Sequence, residues 1–543
     1  MRGAKSATWV AGAIVIALSA TACGGGGGSG DDKAAIDPNG VYSYDDVEPQ
    51  NPLIPTNTNE VAGHYILANV FRGLVQYDAK GNLVNEVAQS VDTKDSKVWD
   101  VKLKPGWTFS NGEKVTSDSF IDAWNWGANV KNNQLNASWF EPIQGYSDVH
   151  PDKGDPKADK MSGLKKISDT EFTITLSHPV ATFKHQLYYD PFFPLPKVFY
   201  KDTKAFGEHP IGNGPYKMVG DWQHKVGVKV RKVKNFAGDD KPKNGGIDFV
   251  FSTSPDAAYN NLVSNKLDIM YQVPPSALTK YKTDLNGRAV QQVFGGNTAI
   301  GFPMYQKAWQ KPEKAKVRQG LSMAIDRATI AKTVLKGSKT AADGWVPPSV
   351  DGYTKDECGG YCKFDPKKAK QLIKEGGGVP GGKLVINVNT DGGGNKDWAT
   401  AVCNDIQQNA GVPCTLKTWS TFGAMRTQIT DKKMDQPFRM AWVQDYLNIT
   451  DFIQAQYQTG AGANDMAYSS KKVDSLIKEA DAAPSVAESN KKYQEVTEQM
   501  AKDMPSIPLF FDETNGGWSQ NVTNVKFDSF RQAIWTDVEV KKK

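Results

Sequence analysis

Four cysteines in the second half of the chain could either bind a zinc ion or form disulfides. They are Cys358, Cys362, Cys403 and Cys414. A four-cysteine zinc site normally presents paired C-x2-C knuckles, which are absent here. If the chain is exported, as its first residues indicate, an even number of cysteines favours two disulfides. Three connectivities are open, and pairing between sequence neighbours is the simplest of them.

Other motifs that could perform chemistry are incomplete. Residues 377–383 (G-G-V-P-G-G-K) match most of a phosphate-binding loop, but Leu384 replaces the required Ser or Thr and a strand follows instead of a helix. Ser162 and Lys165 have the S-x-x-K spacing of penicillin-recognising enzymes without the accompanying K-T-G. The histidines form no H-E-x-x-H, and no G-x-S-x-G is present. The sequence therefore predicts no catalytic residues, no metal site and no cofactor.

The chain that would position such a site is long and nearly neutral. It has 543 residues, 39% hydrophobic and 23% charged, with a formal net charge of +5. This composition excludes global disorder, and the length predicts more than one lobe. A mean hydropathy of −0.51 excludes a polytopic membrane protein. Because Lys and Arg are scattered, nothing indicates nucleic-acid binding.

The N-terminus has the organisation of a secretory leader. Arg2 and Lys5 precede an uncharged run at residues 8–18, which is shorter than the roughly 20 apolar residues of a membrane span, and small residues lead to Cys23. This segment resembles a bacterial lipoprotein signal, in which the cysteine becomes the lipid-bearing first residue. We therefore predict a signal peptide at residues 1–22, a lipid on Cys23 and a flexible Gly-rich tether at residues 23–39. Removal of the leader leaves a net charge of +3.

From about residue 40, short strands alternate with helices between Gly, Pro and Asn turns, which predicts an α/β fold. The predicted strands are residues 98–103, 171–176, 227–233, 247–253 and 384–388. The predicted helices are residues 117–130, 316–335, 366–375, 399–409, 471–480 and 486–502.

Motifs spread from about residue 50 to 510 carry a family resemblance. They are residues 51–61, 69–75 (N-V-F-R-G-L-V), 103–118 (L-K-P-G-W-T-F-S-N-G-E-K-V-T-S-D), 212–216 (G-N-G-P-Y), 316–327 (K-V-R-Q-G-L-S-M-A-I-D-R) and 441–446 (A-W-V-Q-D-Y). In type and order they resemble the extracytoplasmic solute-binding proteins for peptides, the oligopeptide- and dipeptide-binding family of ABC importers. The Gly-rich leader is most similar to actinobacterial oligopeptide-binding lipoproteins of the BldK type.

The resemblance implies a two-lobed, periplasmic-binding-protein-like (type II) α/β fold, with two strands crossing between the lobes and a subdomain inserted in the first. The implied boundaries are residues 40–80, 205–295 and 510–543 for lobe I, 81–204 for the inserted subdomain and 296–509 for lobe II. It also implies a binding protein without enzymatic activity. As a monomer anchored to the extracytoplasmic face of the cell membrane through Cys23, it would deliver oligopeptides to the transmembrane subunits of an ABC permease.

The resemblance also names site residues. A buried peptide needs a counter-charge for its ammonium group, and Asp445 would supply it through a charge-assisted hydrogen bond. Ala441 and Val443 on one lobe and Val61 on the other would pair by backbone with an extended peptide. The residues expected to form pocket walls or to hold the ligand carboxylate are Trp139, Trp419, Arg426, Arg439, Trp442 and Tyr446.

Ordinary structural interpretations of these residues stay open. Trp419 and Trp442 could be core residues, Arg426 and Arg439 could form surface ion pairs, and Asp445 could cap the following helix. Two other functions also stay open. The same fold could bind a sugar, a metal chelate or haem, or the chain could be an exported hydrolase, which peptide turnover would reveal.

Overall fold

The structure is a computed structural model that describes residues 35–391 and 394–542. The predicted signal peptide at residues 1–22, the predicted lipid attachment at Cys23 and most of the predicted tether lie outside the described residues. No helix in the described ranges is both long enough and apolar enough to cross a membrane.

Short strands and helices alternate along the described chain, as an α/β fold requires. The strands are β1 (Ile36–Asp37), β2 (Val41–Asp46), β3 (Val75–Tyr77), β4 (Leu83–Asn85), β5 (Ala88–Thr93), β6 (Val98–Leu103), β7 (Leu164–Ser168), β8 (Glu171–Thr175), β9 (Tyr216–Met218), β10 (Gly227–Lys232), β11 (Gly246–Phe251), β12 (Ile269–Met270), β13 (Ala289–Gly301), β14 (Lys339–Ala341), β15 (Leu384–Asn389), β16 (Cys414–Trp419), β17 (Phe438–Val443), β18 (Ser506–Trp518), β19 (Val522–Thr523) and β20 (Glu539–Lys541).

The helices are α1 (Val61–Val70), α2 (Ser117–Ala128), α3 (Tyr146–Val149), α4 (Phe183–Gln186), α5 (Thr203–Glu208), α6 (Pro255–Val263), α7 (Tyr281–Asp284), α8 (Lys307–Gln310), α9 (Lys314–Met323), α10 (Arg327–Thr333), α11 (Pro366–Glu375), α12 (Asn395–Asp405), α13 (Phe422–Thr430), α14 (Ile449–Tyr457), α15 (Lys471–Asp481) and α16 (Val486–Asp503). Short 3₁₀ turns occupy Val130–Asn132, Ala137–Phe140, Asp190–Phe192, Lys197–Lys201, Pro275–Ala277 and Pro380–Gly382, and a π turn, Ile406–Ala410, extends α12.

One long mixed sheet runs through the molecule. Its strand order is β16-β15-β17-β13-β18-β12-β2-β11-β10-β9, with β14 beside β18. Smaller sheets have the orders β5-β6-β8-β7, β1-β20-β19 and β3-β4. The predicted α/β class is confirmed.

Two large hydrophobic cores lie along this sheet, one in each lobe. The first contains buried residues between 42 and 269 together with residues 522–538, and the second contains residues between 299 and 510. The antiparallel strands β13 and β18 pass from one core to the other, and their pairing is interrupted between Val293 and Asn297. The predicted lobe boundaries at residues 295/296 and 509/510 fall within these two strands. The boundaries stay a prediction.

The predicted single helix at residues 316–335 is wrong, because the structure forms α9 and α10 instead. Asp326 leaves the helical conformation and caps α10, accepting a hydrogen bond from a backbone N–H three residues later at 3.0 Å. Arg318 and Arg327 of the same motif donate through Nε to backbone carbonyls around the start of β18, at 2.8 and 2.7 Å. The motif therefore fastens the helices of the second lobe to a crossing strand.

The four cysteines form two disulfides between sequence neighbours, Cys358–Cys362 and Cys403–Cys414. The second bond joins α12 to the first residue of β16. It therefore links a helix to the edge of the long sheet.

We predict that replacing Cys403 and Cys414 together by Ala lowers the free energy of unfolding by about 2 to 3 kcal/mol, because the unfolded chain gains freedom. Urea unfolding without reductant measures the loss. The Cys358/Cys362 double variant is the control, and its loss should be smaller because that disulfide closes a shorter loop. An equal or greater loss in the control would contradict the entropic explanation.

Candidate functional site

A cavity of about 1230 Å³ lies between the two lobes. Residues of the first lobe line it within 59–65, 136–142 and 177–189, joined by 530–531 from the C-terminal segment. Residue 422 and residues within 441–463 line it from the second lobe. The volume is above the range of common small-molecule pockets, so an extended ligand fits its size.

Seven of the residues predicted for the site lie in the cavity wall. They are Val61, Trp139, Ala441, Trp442, Val443, Asp445 and Tyr446. The structure thus brings together α1 and a 3₁₀ turn of one lobe with the end of β17 in the other. Their individual contacts with a ligand stay a prediction.

The first turn of α1 enters the cavity through Val61 and His64. Glu60 begins this helix, because its carboxylate accepts a hydrogen bond from the Gly63 N–H at 2.9 Å. Burial raises the pKa of the Glu60 carboxyl, although backbone hydrogen bonds oppose that shift. The same side chain therefore caps the helix and contributes a carboxyl group to the cavity wall.

The G-N-G-P-Y motif holds the other end of α1. The Gly214 N–H donates to the Val70 carbonyl at 2.7 Å, and Asn213 exchanges two hydrogen bonds with the backbone of Arg72, both at 3.0 Å. A Cβ atom at Gly212 would lie 2.0 Å from the Val70 oxygen. This close approach explains the need for glycine and fixes the direction in which α1 enters the cavity.

The edge of β17 that faces away from β13 is largely unpaired. Among the described residues, β15 pairs with this strand only at Phe438. The Gln444 N–H donates to the Gly295 carbonyl at 2.8 Å, toward β13. Because amide direction alternates along a strand, the N–H and C=O groups of Ala441 and Val443 point to the open edge. Both residues are exposed in the cavity, so another extended chain could pair there.

Asp445 lies two residues beyond the end of β17, half-buried in the cavity wall. Its N–H donates to Asp451 Oδ2 at 2.9 Å. Burial raises the pKa of the Asp445 carboxyl to about 7; a hydrogen bond with Tyr189 opposes the rise, a charged His64 ring would oppose it as well, and Asp190 adds to it. An ammonium group beside this carboxylate would supply a counter-charge, and would favour the charged form.

Asp451 lies behind Asp445 and is almost completely buried. Burial and the neighbouring Asp445 carboxylate raise its pKa well above the ordinary value. Trp442 donates to Oδ2 through its indole N–H at 3.4 Å, whereas Oδ1 has no hydrogen-bond partner within the described part of the chain. Beyond the end of β17, Asp445 and Asp451 of α14 therefore place two carboxyl groups near each other.

The charged side chains of the cavity wall are mostly acidic. Glu60, Glu141, Asp445 and Asp451 contribute carboxyl groups, whereas Arg531 is the one Lys or Arg among the described lining residues. The Arg531 guanidinium lies 4.9 Å from the Tyr271 ring centroid and donates to a glutamine oxygen at 2.9 Å. Electrostatics therefore favour a ligand that brings positive charge.

Aromatic rings form the wall beside Asp445. Trp139 lies edge-on to Tyr189, with ring centroids 4.7 Å apart, and to Tyr446, at 6.1 Å. Trp139 and Tyr189 come from the first lobe and Tyr446 from the second. These rings join the lobes and provide apolar surface for a ligand side chain.

Three predicted residues do not line the cavity. Trp419 donates its indole N–H to an asparagine oxygen of β15 at 3.1 Å, and Arg426 forms an ion pair with Asp465. The Arg439 guanidinium lies 5.8 Å from the centroid of Phe422, whose ring does line the cavity. Arg439 therefore lies beside a lining residue without lining the cavity itself, and neither arginine shares the cavity wall with Asp445.

Several lining residues were missed in the sequence. Glu60 and His64 have a recognisable signal, because they flank Val61 at a capping position and one helical turn later. Asp451 and Arg531 have no local signal, because their place in the wall depends on how distant segments pack.

A family model and two named relatives each match most of this chain. The model of bacterial extracellular solute-binding proteins, family 5, matches residues 82–464. The dipeptide-binding protein of Lactococcus lactis is 28% identical over 86% of this chain and 88% of its own length. The oligopeptide-binding protein OppA of Bacillus subtilis is 23% identical over 84% of this chain and 85% of its own.

A solved structure has the same fold. The OppA protein of Haemophilus influenzae in complex with the peptide RPPGFSPFR superimposes with a TM-score of 0.75. The match covers 93% of this chain and 100% of that one at 21% identity. The predicted two-lobed fold is confirmed.

Proposed function

Because the chain belongs to the bacterial extracellular solute-binding proteins, family 5, we propose that it captures extended peptides by their free amino terminus and delivers them to an ABC permease. The observation that carries the proposal is the open edge of β17 leading to Asp445 within an acidic interlobe cavity. The edge supplies backbone partners and Asp445 supplies the counter-charge.

Backbone pairing explains how one cavity could accept many peptides. The N–H and C=O groups of Ala441 and Val443 would bond to the ligand backbone, which every peptide presents. Val61 lies in the wall contributed by the opposite lobe, so the ligand would be held between α1 and β17. Side-chain preference would then come from the aromatic and polar walls.

The names of similar proteins support the peptide ligand. The relatives from Lactococcus and Bacillus are named for dipeptides and oligopeptides, and the Haemophilus structure holds a nine-residue peptide. The excess of carboxyl groups in the present cavity fits the ammonium group that all such ligands carry.

The proposal includes a place in the cell. A signal peptide at residues 1–22 and a lipid on Cys23 would keep a monomer at the extracytoplasmic face of the membrane, beside the permease. The protein would bind and release its ligand without breaking a bond in it, so Asp445 acts as a counter-charge and not as a catalyst.

Mass spectrometry of ligands retained by the purified protein tests this function. We expect peptides with free amino termini, because Asp445 is the counter-charge proposed for the ligand ammonium. Titration with penta-alanine then measures the affinity.

Two other outcomes would contradict the proposal. Recovery of a sugar, a metal chelate or haem in place of peptide would indicate the same fold with a different ligand. Fragments of an added peptide would indicate a hydrolase.

A further inference from the structure

His64, in the first turn of α1, makes a hydrogen bond through each ring nitrogen. Nδ1 lies 2.9 Å from Asp190 Oδ1, and Nε2 lies 2.8 Å from the amide nitrogen of Gln532. Asp190 is fully buried, and its second oxygen has no partner within the described ranges. The ring therefore connects the cavity wall to two buried polar groups.

The orientation of the Gln532 amide is determined by Trp535. The indole Nε1–H of Trp535 lies 3.0 Å from Gln532 Oε1, and an indole nitrogen can only donate. The amide oxygen must therefore face Trp535, and the amide NH₂ must face His64. It follows that Nε2 of His64 accepts, that the ring proton is on Nδ1, and that this proton is donated to Asp190.

The network in this arrangement requires an uncharged imidazole. A proton on Nε2 would face the NH₂ donor of Gln532, so the amide would have to release Trp535 before the ring could become charged. Three carboxyl groups from separate segments, Asp190, Asp528 and Asp445, raise the pKa of His64, and burial opposes them. The amide thus opposes a charge that the surrounding acids favour.

Other charged groups near the ring belong to the same cavity wall. Glu60 precedes α1, and Arg531 is adjacent to Gln532 in the chain. The Asp528 carboxylate accepts hydrogen bonds from the N–H groups of Phe530 and Gln532, both at 2.9 Å, which closes a turn in this segment. Arg531 is the permanently charged cation among the described lining residues, and a charged His64 would add a second cation.

Building on the proposed function, we propose that His64 is a specificity-determining residue for the ligand amino terminus. Gln532 and Trp535 hold its ring uncharged, so that no imidazolium competes with the ligand ammonium for the acidic end of the cavity. His64 influences binding of the ligand ammonium through Asp445 and Asp190, and it is therefore a positioning residue.

This role has a measurable pH signature. An imidazolium and an ammonium repel each other, so ligand capture favours uncharged His64 and affinity should rise with pH until the peptide amino group itself loses its proton, at about pH 8. Asp445 acts in the same direction, because its carboxyl must be charged to bind an ammonium. The pH profile of the wild type alone therefore cannot separate them, whereas Gln532, which is buried and does not line the cavity, can.

The Gln532→Ala variant tests the proposal with penta-alanine as the probe. Without the amide, His64 is free to take a second proton, so we expect affinity about tenfold below that of the wild type near pH 6. Near pH 8.5 the two affinities should agree within about twofold, because the ring is uncharged in both. A ratio that does not change with pH would overturn the proposal.

Two further variants exclude a merely structural effect. In the His64→Gln background, Gln532→Ala should lose its pH-dependent effect, because no titrating ring remains. Gln319→Ala is the matched control, since Gln319 is an equally buried glutamine that donates to a carbonyl of the second lobe at 3.0 Å. It should change the affinity by the same factor at both pH values.

Nitrogen NMR of the unliganded protein gives a readout that needs no peptide. We expect His64 to carry its proton on Nδ1 alone at neutral pH in the wild type, and on both nitrogens in Gln532→Ala. If penta-alanine fails to bind at all, the proposed function fails while this spectrum still tests the network. A wild-type ring protonated on Nε2 would overturn the inference even if peptides bind.

Discussion

Replacing Asp445 by Asn should weaken the binding of penta-alanine by about 30-fold or more. Asp445 is the counter-charge proposed for the ligand ammonium, and truncating one partner of a buried, hydrogen-bonded charge pair costs about 2 to 5 kcal/mol. A tenfold change in affinity corresponds to about 1.4 kcal/mol, so this loss is 30-fold or larger. Isothermal titration calorimetry near pH 7.5 measures it directly.

The same variant should leave the unliganded protein at least as stable as the wild type. Burial raises the pKa of Asp445 to about 7 from an ordinary value of 3.8, so the folded state holds this proton more tightly than the unfolded state. Stability from this group is therefore lost as the pH rises from about 4 to 7. Asn carries no charge, so thermal unfolding should show a higher melting temperature for Asp445→Asn than for the wild type at pH 8 but not at pH 4.

Two controls identify the interaction as one with the ligand amine. Glu141→Gln removes an exposed carboxylate from the same cavity wall and should change affinity only slightly. N-acetylated penta-alanine should bind the wild type poorly, and Asp445→Asn should lose little more with this ligand. Equal losses for free and acetylated peptides would show that Asp445 does not contact the amino terminus.

Replacing Gly212 by Ala should lower the free energy of unfolding by about 2 to 4 kcal/mol, because overpacking costs about 1 to 3 kcal/mol and a weakened hydrogen bond about 1 more. The new Cβ would lie 2.0 Å from the backbone oxygen of Val70, and neither backbone segment can move away at little cost. Relief of that overlap would lengthen the hydrogen bond from Gly214 to the same oxygen, which is 2.7 Å long. Urea unfolding measures the loss, and peptide affinity should fall as well, because this motif directs α1 into the cavity.

The matched control is Gly423→Ala in α13. A Cβ atom at Gly423 meets no described atom within 4 Å, so the substitution adds no overlap. Alanine is the better helix former, and the variant should be more stable by about 0.5 to 1 kcal/mol. If Gly212→Ala were as stable as the wild type, the close contact would not be what requires glycine there.

Local signals in the sequence predicted many element positions well. The predicted strand at residues 98–103 is β6, Val98–Leu103, whose residues alternate between exposed and buried. The predicted helix at residues 366–375 is α11, Pro366–Glu375, with Asp365 as its cap and Pro in the first turn. The predicted helix at residues 316–335 is wrong because Asp326 leaves the helical conformation and caps a second helix, α10.

The site was predictable only where a motif marks it. Val61, Ala441 and Asp445 were found because they belong to motifs, and the structure places them around one cavity. Arg426 has the same motif-derived support, but its side chain pairs with Asp465 and lies outside the cavity wall. Spacing along a chain does not say which side of a lobe a residue faces.

The sequence by itself determined the α/β class, the family and the short-range features, because strand alternation, helix caps and glycine turns depend on neighbours in the chain. Only the tertiary structure decided that His64 meets Gln532 and Asp190, and that Asp445 lies against Asp451 in an acidic wall. These contacts form when distant segments pack together. The charge state of each group depends on burial and on those partners, so no local pattern encodes it.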